Sequence, residues 1–339
     1  MSLGADFLAD HAYEIHNGWE HGIYIGGSYN EQTNNQPKGK TKMPTIQTPR
    51  MPVRTVPTAR TAPTLPGIDA PAKRTVSFKK IESRKRGQYV ILAGQGGTGK
   101  STACLMKDGE TAFINLEGSA EILKGRMEQI APERLDHIHI VDFDFTEDAA
   151  QDYDNLCATI EADGYDGMNT IVIDSWTVVQ KLMKAYVFKH EQYKGKPCTS
   201  TEDYGYSTFP IYAFKHYTRL QNALLAHIRA GRDVVVIAHA VDETIPDAAL
   251  NDMKQWQFDA FMMKSGKESI RHDMYNTADQ VWFMSNGTLA GDKKKATSGA
   301  RMVYLVGTGV IWAKSRTYSG DPAVLVPDGE SIPWDVLNF

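Results

Sequence analysis

The feature that most constrains this chain is the stretch VILAGQGGTGKST, Val90–Thr102, in which four glycines, a lysine and three hydroxyls follow an apolar run. Glycine is costly to order and has no side chain to bury, so a packed core gains nothing from such a cluster. The spacing is G-x-x-x-x-G-K-[ST], with Gly94, Gly99, Lys100 and Ser101 in the fixed places. The context fits as well. Tyr89–Ala93 reads as a buried strand, and Ser101 onward (STACLMK) reads as the opening of a helix. The competing reading is an ordinary glycine-rich turn before a helix. With strand, spacing and helix together, the phosphate loop is the better account. Its glycines let the backbone wrap with the amides of Gly94, Gln95, Gly96, Gly97, Thr98 and Gly99 pointing inward. With the helix N-terminus, those amides cradle phosphate oxygens. Lys100 is expected to reach the β- and γ-phosphates and Ser101 to hold Mg²⁺. Thr98 and Thr102 complete the stretch as local hydrogen-bonding residues.

The chain has 339 residues, enough for one large or two modest domains. Apolar content of 42% and charged content of 23% are ordinary for a globular protein. Cys104, Cys157 and Cys198 are far apart and form no metal-like pair, which argues for a reducing compartment. No apolar run approaches a membrane span, and the first residues lack a basic-then-apolar signal pattern. The expectation is a cytoplasmic protein that does not enter membranes. Charge is unevenly spread. Residues 1–30 carry four acids and no Lys or Arg, whereas 31–86 carry thirteen Lys or Arg against three acids. The net charge of −4 therefore leaves the rest of the chain acidic. A basic arm on an acidic body suits nucleic acid through counterion release, and equally suits a soluble linker.

Residues 1–30 include an aromatic-rich stretch that reads as a short helix, either a detached docking segment for a protein partner or a helix packed on the body. Residues 31–75 hold eight prolines among Thr, Gln and Asn, with little to bury, and read as a disordered linker. From residue 76 to 339 strands and helices alternate. Strands are expected at Tyr89–Ala93, Thr111–Asn115, His137–Val141, Thr170–Asp174 and Asp233–Ala238. Helices are expected at 99–107, 119–128, 147–163, 176–193 and 210–231. This pattern predicts an α/β fold with a mostly parallel sheet flanked by helices. After residue 279, DQVWFM, RMVYLVG and GVIWAK read as antiparallel strands at the C-terminal edge, the last two joined across Gly307-Thr308-Gly309.

Four further positions are candidates for chemistry. TIVIDSW ends an apolar strand on Asp174, which would hold Mg²⁺ beside Ser101, or alternatively cap the next helix. In TAFINLEGSAE, Glu117 lies just past a strand and could orient or deprotonate the attacking water. Spacing alone favours a capping or surface acid. DVVVIAHA ends in His239, where an imidazole could touch the γ-phosphate, though a lone histidine at a strand end is more often structural. WAKSR presents Lys314 and Arg316 two residues apart on one strand face, either reaching a phosphate or simply facing water.

In this order, the phosphate loop, TAFINLEGSAE, TIVIDSW, DVVVIAHA, a long loop and AKSR resemble the RecA-like P-loop ATPase core over residues 76–330. The nearest resemblance is to phage-encoded nucleotide-binding proteins of recombination and single-strand annealing. The resemblance implies ATP and Mg²⁺ as cofactors. It implies that Glu117 is the catalytic glutamate, His239 the γ-phosphate sensor, and Lys314 with Arg316 a pair inserted into the neighbouring subunit's ATP site in a homo-oligomer. It also implies DNA-facing loops, here 193–208 with Lys194, Lys196, Tyr204 and Tyr206, and 241–272 with Lys254, Trp256, Lys264, Lys267 and Arg271. Cations interleaved with aromatics suit single-stranded DNA, yet both loops carry acids and also read as ordinary surface. The Lys293–Lys295 run reads as a solvated turn.

The expectation is thus a P-loop ATPase, stimulated by single-stranded DNA, in the cytoplasm of a phage-infected or bacterial host. The rivals are an ATP-dependent motor or loader associated with a helicase or with packaging, and a nucleotide-gated scaffold with little turnover. A small-molecule kinase is disfavoured, because no compact Arg-rich lid is visible.

Overall fold

Five strands with apolar residues on both faces need cover on both sides, and the helices between them supply it. The computed structural model describes residues 86–204, 208–246, 252–261, 269–286 and 300–337. The expected docking segment and linker lie outside these residues, as do Tyr206, Lys264, Lys267 and Lys293–Lys295. The order along the chain is β1 (Tyr89–Gly94), α1 (Lys100–Leu105), β2 (Thr111–Asn115), α2 (Ala120–Ile130), β3 (Ile138–Asp142), α3 (Ala149–Glu161), β4 (Thr170–Asp174) and α4 (Trp176–His190). A small hairpin of β5 (Gln192–Tyr193) and β6 (Lys196–Pro197) follows, then α5 (Phe209–Arg229), β7 (Asp233–Pro246), β8 (Asp252–Phe258) and α6 (Ile270–Thr277). The chain closes with β9 (Gln280–Asn286), β10 (Arg301–Tyr304), β11 (Lys314–Ser315) and β12 (Ala323–Val326).

The strand order across the main sheet is β12-β10-β9-β1-β7-β4-β2-β3. From β9 to β3 every neighbouring pair is parallel, and β10 and β12 close one edge in antiparallel fashion. Side chains alternate between two cores, as a period of two requires. Ile91, Ala93, Ile171, Ile173, Val234, Val236, Val281 and Phe283 face a core built with α3, α4, α5 and α6. Val90, Leu92, Val172, Val235, Ile237, Trp282 and Met284 face the other, closed by α1, α2 and the C-terminal Ile332 and Trp334. This is the mostly parallel, helix-flanked α/β core expected of a RecA-like chain.

Local chemistry sets the helix ends. Asp148 caps α3 by accepting from the amides of Ala150 and Gln151. In α5, Phe209, Ala213, Tyr217, Leu220, Leu224 and Ile228 recur every three or four residues and are all buried. Helix α4 stops at His190, short of the expected 193, because the chain then turns back at Lys194 and Gly195, both at positive φ.

Three expectations need correction. RMVYLVG and GVIWAK do not form a hairpin with each other. Both β10 and β11 pair antiparallel with β9, end to end along one of its edges, and residues 305–313 bulge out between them. The sequence DQVWFM, which supplies β9, runs parallel to β1 rather than joining an all-antiparallel group. The stretch 241–272 is not a long loop either. Strand β7 runs on past Ala238 to Pro246 and pairs antiparallel with β8, making an arm, and α6 follows.

A buried carboxylate ties the strand starts together. Asp279 accepts from the Tyr89 amide at 3.0 Å, from Arg316 Nη1 at 3.1 Å and from Arg86 Nη2. Charged acceptors of this kind contribute about 1.5–3 kcal/mol per hydrogen bond. Asp279→Ala should therefore lower the unfolding free energy by about 2 kcal/mol, discounted for the half-exposed arginines. Urea denaturation measures this, and an unshifted midpoint would show that the pin carries no weight.

Candidate nucleotide site

The C-terminal ends of β1, β2 and β4 lie beside the middle of β7, where His239 stands, and each strand delivers one group. Registers align Gly94 with His239, and Asn115 with Asp174. The loop leaving β1 is backbone-rich because only glycine suits its geometry. A Cβ on Gly94 would fall 2.3 Å from the Met284 carbonyl oxygen, and Gly99 has φ 79, in the left-handed region. Thr98 Oγ1 donates to the Gln95 carbonyl at 2.9 Å, a local bond of the kind the sequence suggested. Lys100 is buried and folds over the loop, its Nζ donating to the carbonyls of Gly94 at 3.0 Å and Gln95 at 2.7 Å. Helix α1 is only six residues long, so the loop amides and Lys100, rather than a helix dipole, carry the attraction for anions.

Ser101 Oγ donates to Asp174 Oδ2 at 2.6 Å. Asp174 is 1% exposed, and burial raises its carboxyl to about 6, against the opposing Ser101 hydrogen bond. Burial also lowers Lys100, opposed by Asp174 and Glu117. A hydroxyl beside a carboxylate, facing a phosphate loop, is a hard-oxygen donor pair that fits Mg²⁺, which usually takes one or two protein oxygens plus phosphate and water. Among the described residues no group of three or more His, Cys, Asp or Glu could hold a metal ion by itself, so such an ion would depend on phosphate oxygens.

Glu117 joins the same cluster. Its Oε1 accepts from Ser175 Oγ and lies 3.5 Å from His239 Nε2. Glu117 and His239 each keep more than a third of their side chains exposed, so both open toward the loop rather than into the core. The sequence singled out every member of this cluster except Ser175. Its signal was adjacency: Ser175 follows Asp174 directly and precedes α4.

Lys314 and Arg316 lie elsewhere. They hold the opposite end of the sheet, where Arg316 bonds Asp279 and the Asn276 carbonyl and Lys314 bonds the carbonyls of Tyr275 and Asn276. Asp279 pairs with the first residue of β1, roughly 17 Å along the strand from Gly94 at about 3.3 Å per residue. Burial, with Arg316 next to it, pulls Lys314 down to about 8. Only Lys314 lies on β11, with Arg316 in the bend after it; both reach the Asn276 carbonyl and do not meet their own chain's phosphate loop.

The DNA-facing candidates are reduced by burial. Tyr204 is fully buried, its hydroxyl donating to the carbonyls of Val187 and Glu191, so it offers no stacking face. Arg271 is 4% exposed and bonds Glu243 Oε1 at 3.0 Å and Gln257 Oε1 at 3.1 Å. Trp256 packs beside Phe283. Lys194, Lys196 and Lys254 remain at the surface, Lys254 within 3.4 Å of Asp242.

A family model described as AAA domain matches residues 86–317. No curated protein matches the chain. Among solved structures, the chain is similar to the flagellar accessory protein FlaH from Methanocaldococcus jannaschii. That similarity is 10% identity over 71% of this chain and 85% of that one, with a TM-score of 0.36, too slight to carry any argument. No helix among the described residues is long and apolar enough to cross a membrane.

The geometry separates binding from turnover. Glu117→Gln keeps shape and hydrogen bonding but removes the ionisable carboxylate beside the loop, so ATP affinity should hold while steady-state turnover falls by about a hundredfold or more. An undiminished rate would remove Glu117 from the chemistry.

Proposed function

The AAA domain match spans residues 86–317, more than half of the chain, so the chain belongs to that family and is a P-loop ATPase, and from that premise we propose that it hydrolyses ATP between subunits of a homo-oligomer acting on single-stranded DNA in phage-type recombination or annealing. The observation that carries the ATPase chemistry is the 2.6 Å contact of Ser101 with Asp174, beside a glutamate held by Ser175.

In this reading the amides of Gly94–Gly99 and the Lys100 ammonium bind the β- and γ-phosphates, with Thr102 next to them on α1. Ser101 and Asp174 would hold Mg²⁺, which would supply positive charge against the phosphate oxygens. Glu117 takes the proton from the attacking water, and Ser175 sets the direction of its carboxylate. His239 hydrogen-bonds the γ-phosphate. Its strand runs unbroken into the β7–β8 arm, so the state of the phosphate is passed to that arm. Lys314 and Arg316 are too far from their own loop to act there. Their phosphate belongs to a neighbouring subunit, as an arginine finger's does.

Support for nucleic acid comes chiefly from the thirteen cations of residues 31–86 and from Lys194, Lys196 and Lys254 at the surface. Residues 1–30 are assigned to a protein partner, and the whole acts in the cytoplasm of a phage-infected or bacterial host. A second reading, a motor or loader, is favoured by one observation. The arm carries Asp242, Glu243 and Asp252, which suit a protein partner better than DNA.

Three measurements test these readings. Lys100→Ala should weaken ATP binding by tenfold or more on the order of one charge-assisted contact, and unchanged affinity would end the mechanism at its first step. Mixing Arg316→Ala subunits with Lys100→Ala subunits should restore part of the activity. Absence of rescue at every ratio would remove the shared site. ATP turnover should rise with single-stranded DNA; preference for duplex would favour the motor, and indifference to DNA with negligible turnover would favour a nucleotide-gated scaffold.

A further inference from the structure

Three arginines are buried among the described residues: Arg134, Arg271 and Arg301. Two of them have clear partners. Arg134 donates to the carbonyls of Leu105 at 3.3 Å and Gly109 at 2.7 Å, and Arg271 bonds Glu243 and Gln257. Arg301, 6% exposed, is different. Among the described residues its one side-chain hydrogen bond runs from Nη2 to the Glu330 carbonyl at a long 3.4 Å, and its Nε meets no partner there. No carboxylate among the described residues lies within ion-pair distance of it. The nearby Asp328 is bonded to Arg126 at 3.0 Å. A buried cation without a counter-charge is expensive and persists where something compensates it.

Its position says what that compensation is. Arg301 begins β10 and pairs with Asn286 at the C-terminal end of β9, the same sheet edge that carries the phosphate loop. Its Nη1 lies 3.0 Å from where a Cβ on Gly99 would stand, so the guanidinium rests against the loop itself. The strand order then gives direction. Glu117 follows β2, Asp174 ends β4 and His239 lies within β7, all on one side of β1. Arg301 is on β10, on the other side of β1. A nucleotide whose γ-phosphate faces the water-activating side and whose β-phosphate lies in the loop must direct its α-phosphate and ribose toward β9 and β10.

We propose that Arg301 is a second phosphate-binding cation of this site, contacting the α-phosphate of the bound nucleotide from the side of the loop opposite Asp174 and Glu117. The proposal rests on the ATP-binding reading above. It adds a charge and a planar two-pronged donor that the phosphate-loop motif does not contain. Burial already lowers the Arg301 guanidinium from its usual range, the direction expected of a cation that lacks its anion.

The test uses the full chain, wild type beside Arg301→Met and Arg301→Lys. Without nucleotide, Arg301→Met should melt at the same temperature as wild type or higher, because an uncompensated buried charge has been removed. Its affinity for ATP and for ADP should each fall about ten- to a hundredfold, and the Lys variant should fall in between. The two diastereomers of ATPαS supply the readout that a supporting strut would not move. Wild type should discriminate between them, and Arg301→Met should not. A lower melting temperature with unchanged nucleotide affinity would overturn the proposal and make Arg301 a strut for Gly99. Retained discrimination in Arg301→Met would overturn it as well, by removing the α-phosphate contact. If wild type binds no ATP at all, the ATP reading itself fails and takes this inference with it. If wild type and Arg301→Met bind ATP equally, the inference alone fails.

Discussion

The hydrogen bond from Ser101 to Asp174 joins residues 73 positions apart, and it forms only because Asp174, the last residue of β4, stands level with Leu92, two residues before the end of β1. That level is set by register. Strand β7 lies between them, pairing Gly94 with His239 on one side and Asp174 with Ile237 on the other. A slip of one residue in either pairing would turn every strand side chain to the opposite core and withdraw Asp174 from Ser101. The two apolar cores therefore hold the site in place. Val172, Val235 and Ile237 face one core while Ile173, Val236 and Ala238 face the other, and neither set tolerates exchange.

The same register concentrates charge that would otherwise be unfavourable. Asp174, Lys100 and Glu117 are brought together where burial acts on the first two in opposite senses, raising the acid and lowering the base. Each disfavours its own ionised form, and each is partly relieved by the other. Such an arrangement is weak support for stability and better suited to receiving a ligand that is itself charged, because a triphosphate with its metal supplies the missing counter-charges.

The sequence made the parallel core legible because strands buried on both faces must be continuous apolar runs, and helices of ten or more residues leave a periodic stripe. Val234 to Ala238 and Ile171 to Ile173 could hardly be anything else. The phosphate loop was legible for the opposite reason, since its residues are useless to a core. Pairings that depend on distant partners were not. Whether RMVY pairs with VIWA or with VWFM is decided by β9 being already fixed against β1, a fact that no local pattern carries. The arm was hidden because its residues are mostly polar, its outer part standing clear of the apolar cores. Arg301 gave no signal, because an arginine at the start of a strand ordinarily faces water. Tyr204 and Arg271 were read as surface groups for a related reason. Their polar ends are satisfied inside the fold by Val187, Glu191, Glu243 and Gln257, partners that lie 13 to 28 residues away.

One consequence of the unexpected arm bears on how the two ends of the sheet are connected. The Asp259 amide donates to the His239 carbonyl at 2.8 Å, so the base of the arm is fastened to the residue facing the loop. Farther along β8, the Trp256 amide donates to Val310 at 2.8 Å and its carbonyl accepts from the Trp312 amide at 2.9 Å. Trp312 then stacks on Tyr275 at 4.0 Å, and Lys314 Nζ sits 4.8 Å from the centre of that same ring. Backbone hydrogen bonds and a stacked ring pair thus run from His239 to the Lys314–Arg316 pair without a flexible link. The bulge at 305–313 interrupts the ladder along β9 and supplies Val310 and Trp312 to this contact with the arm.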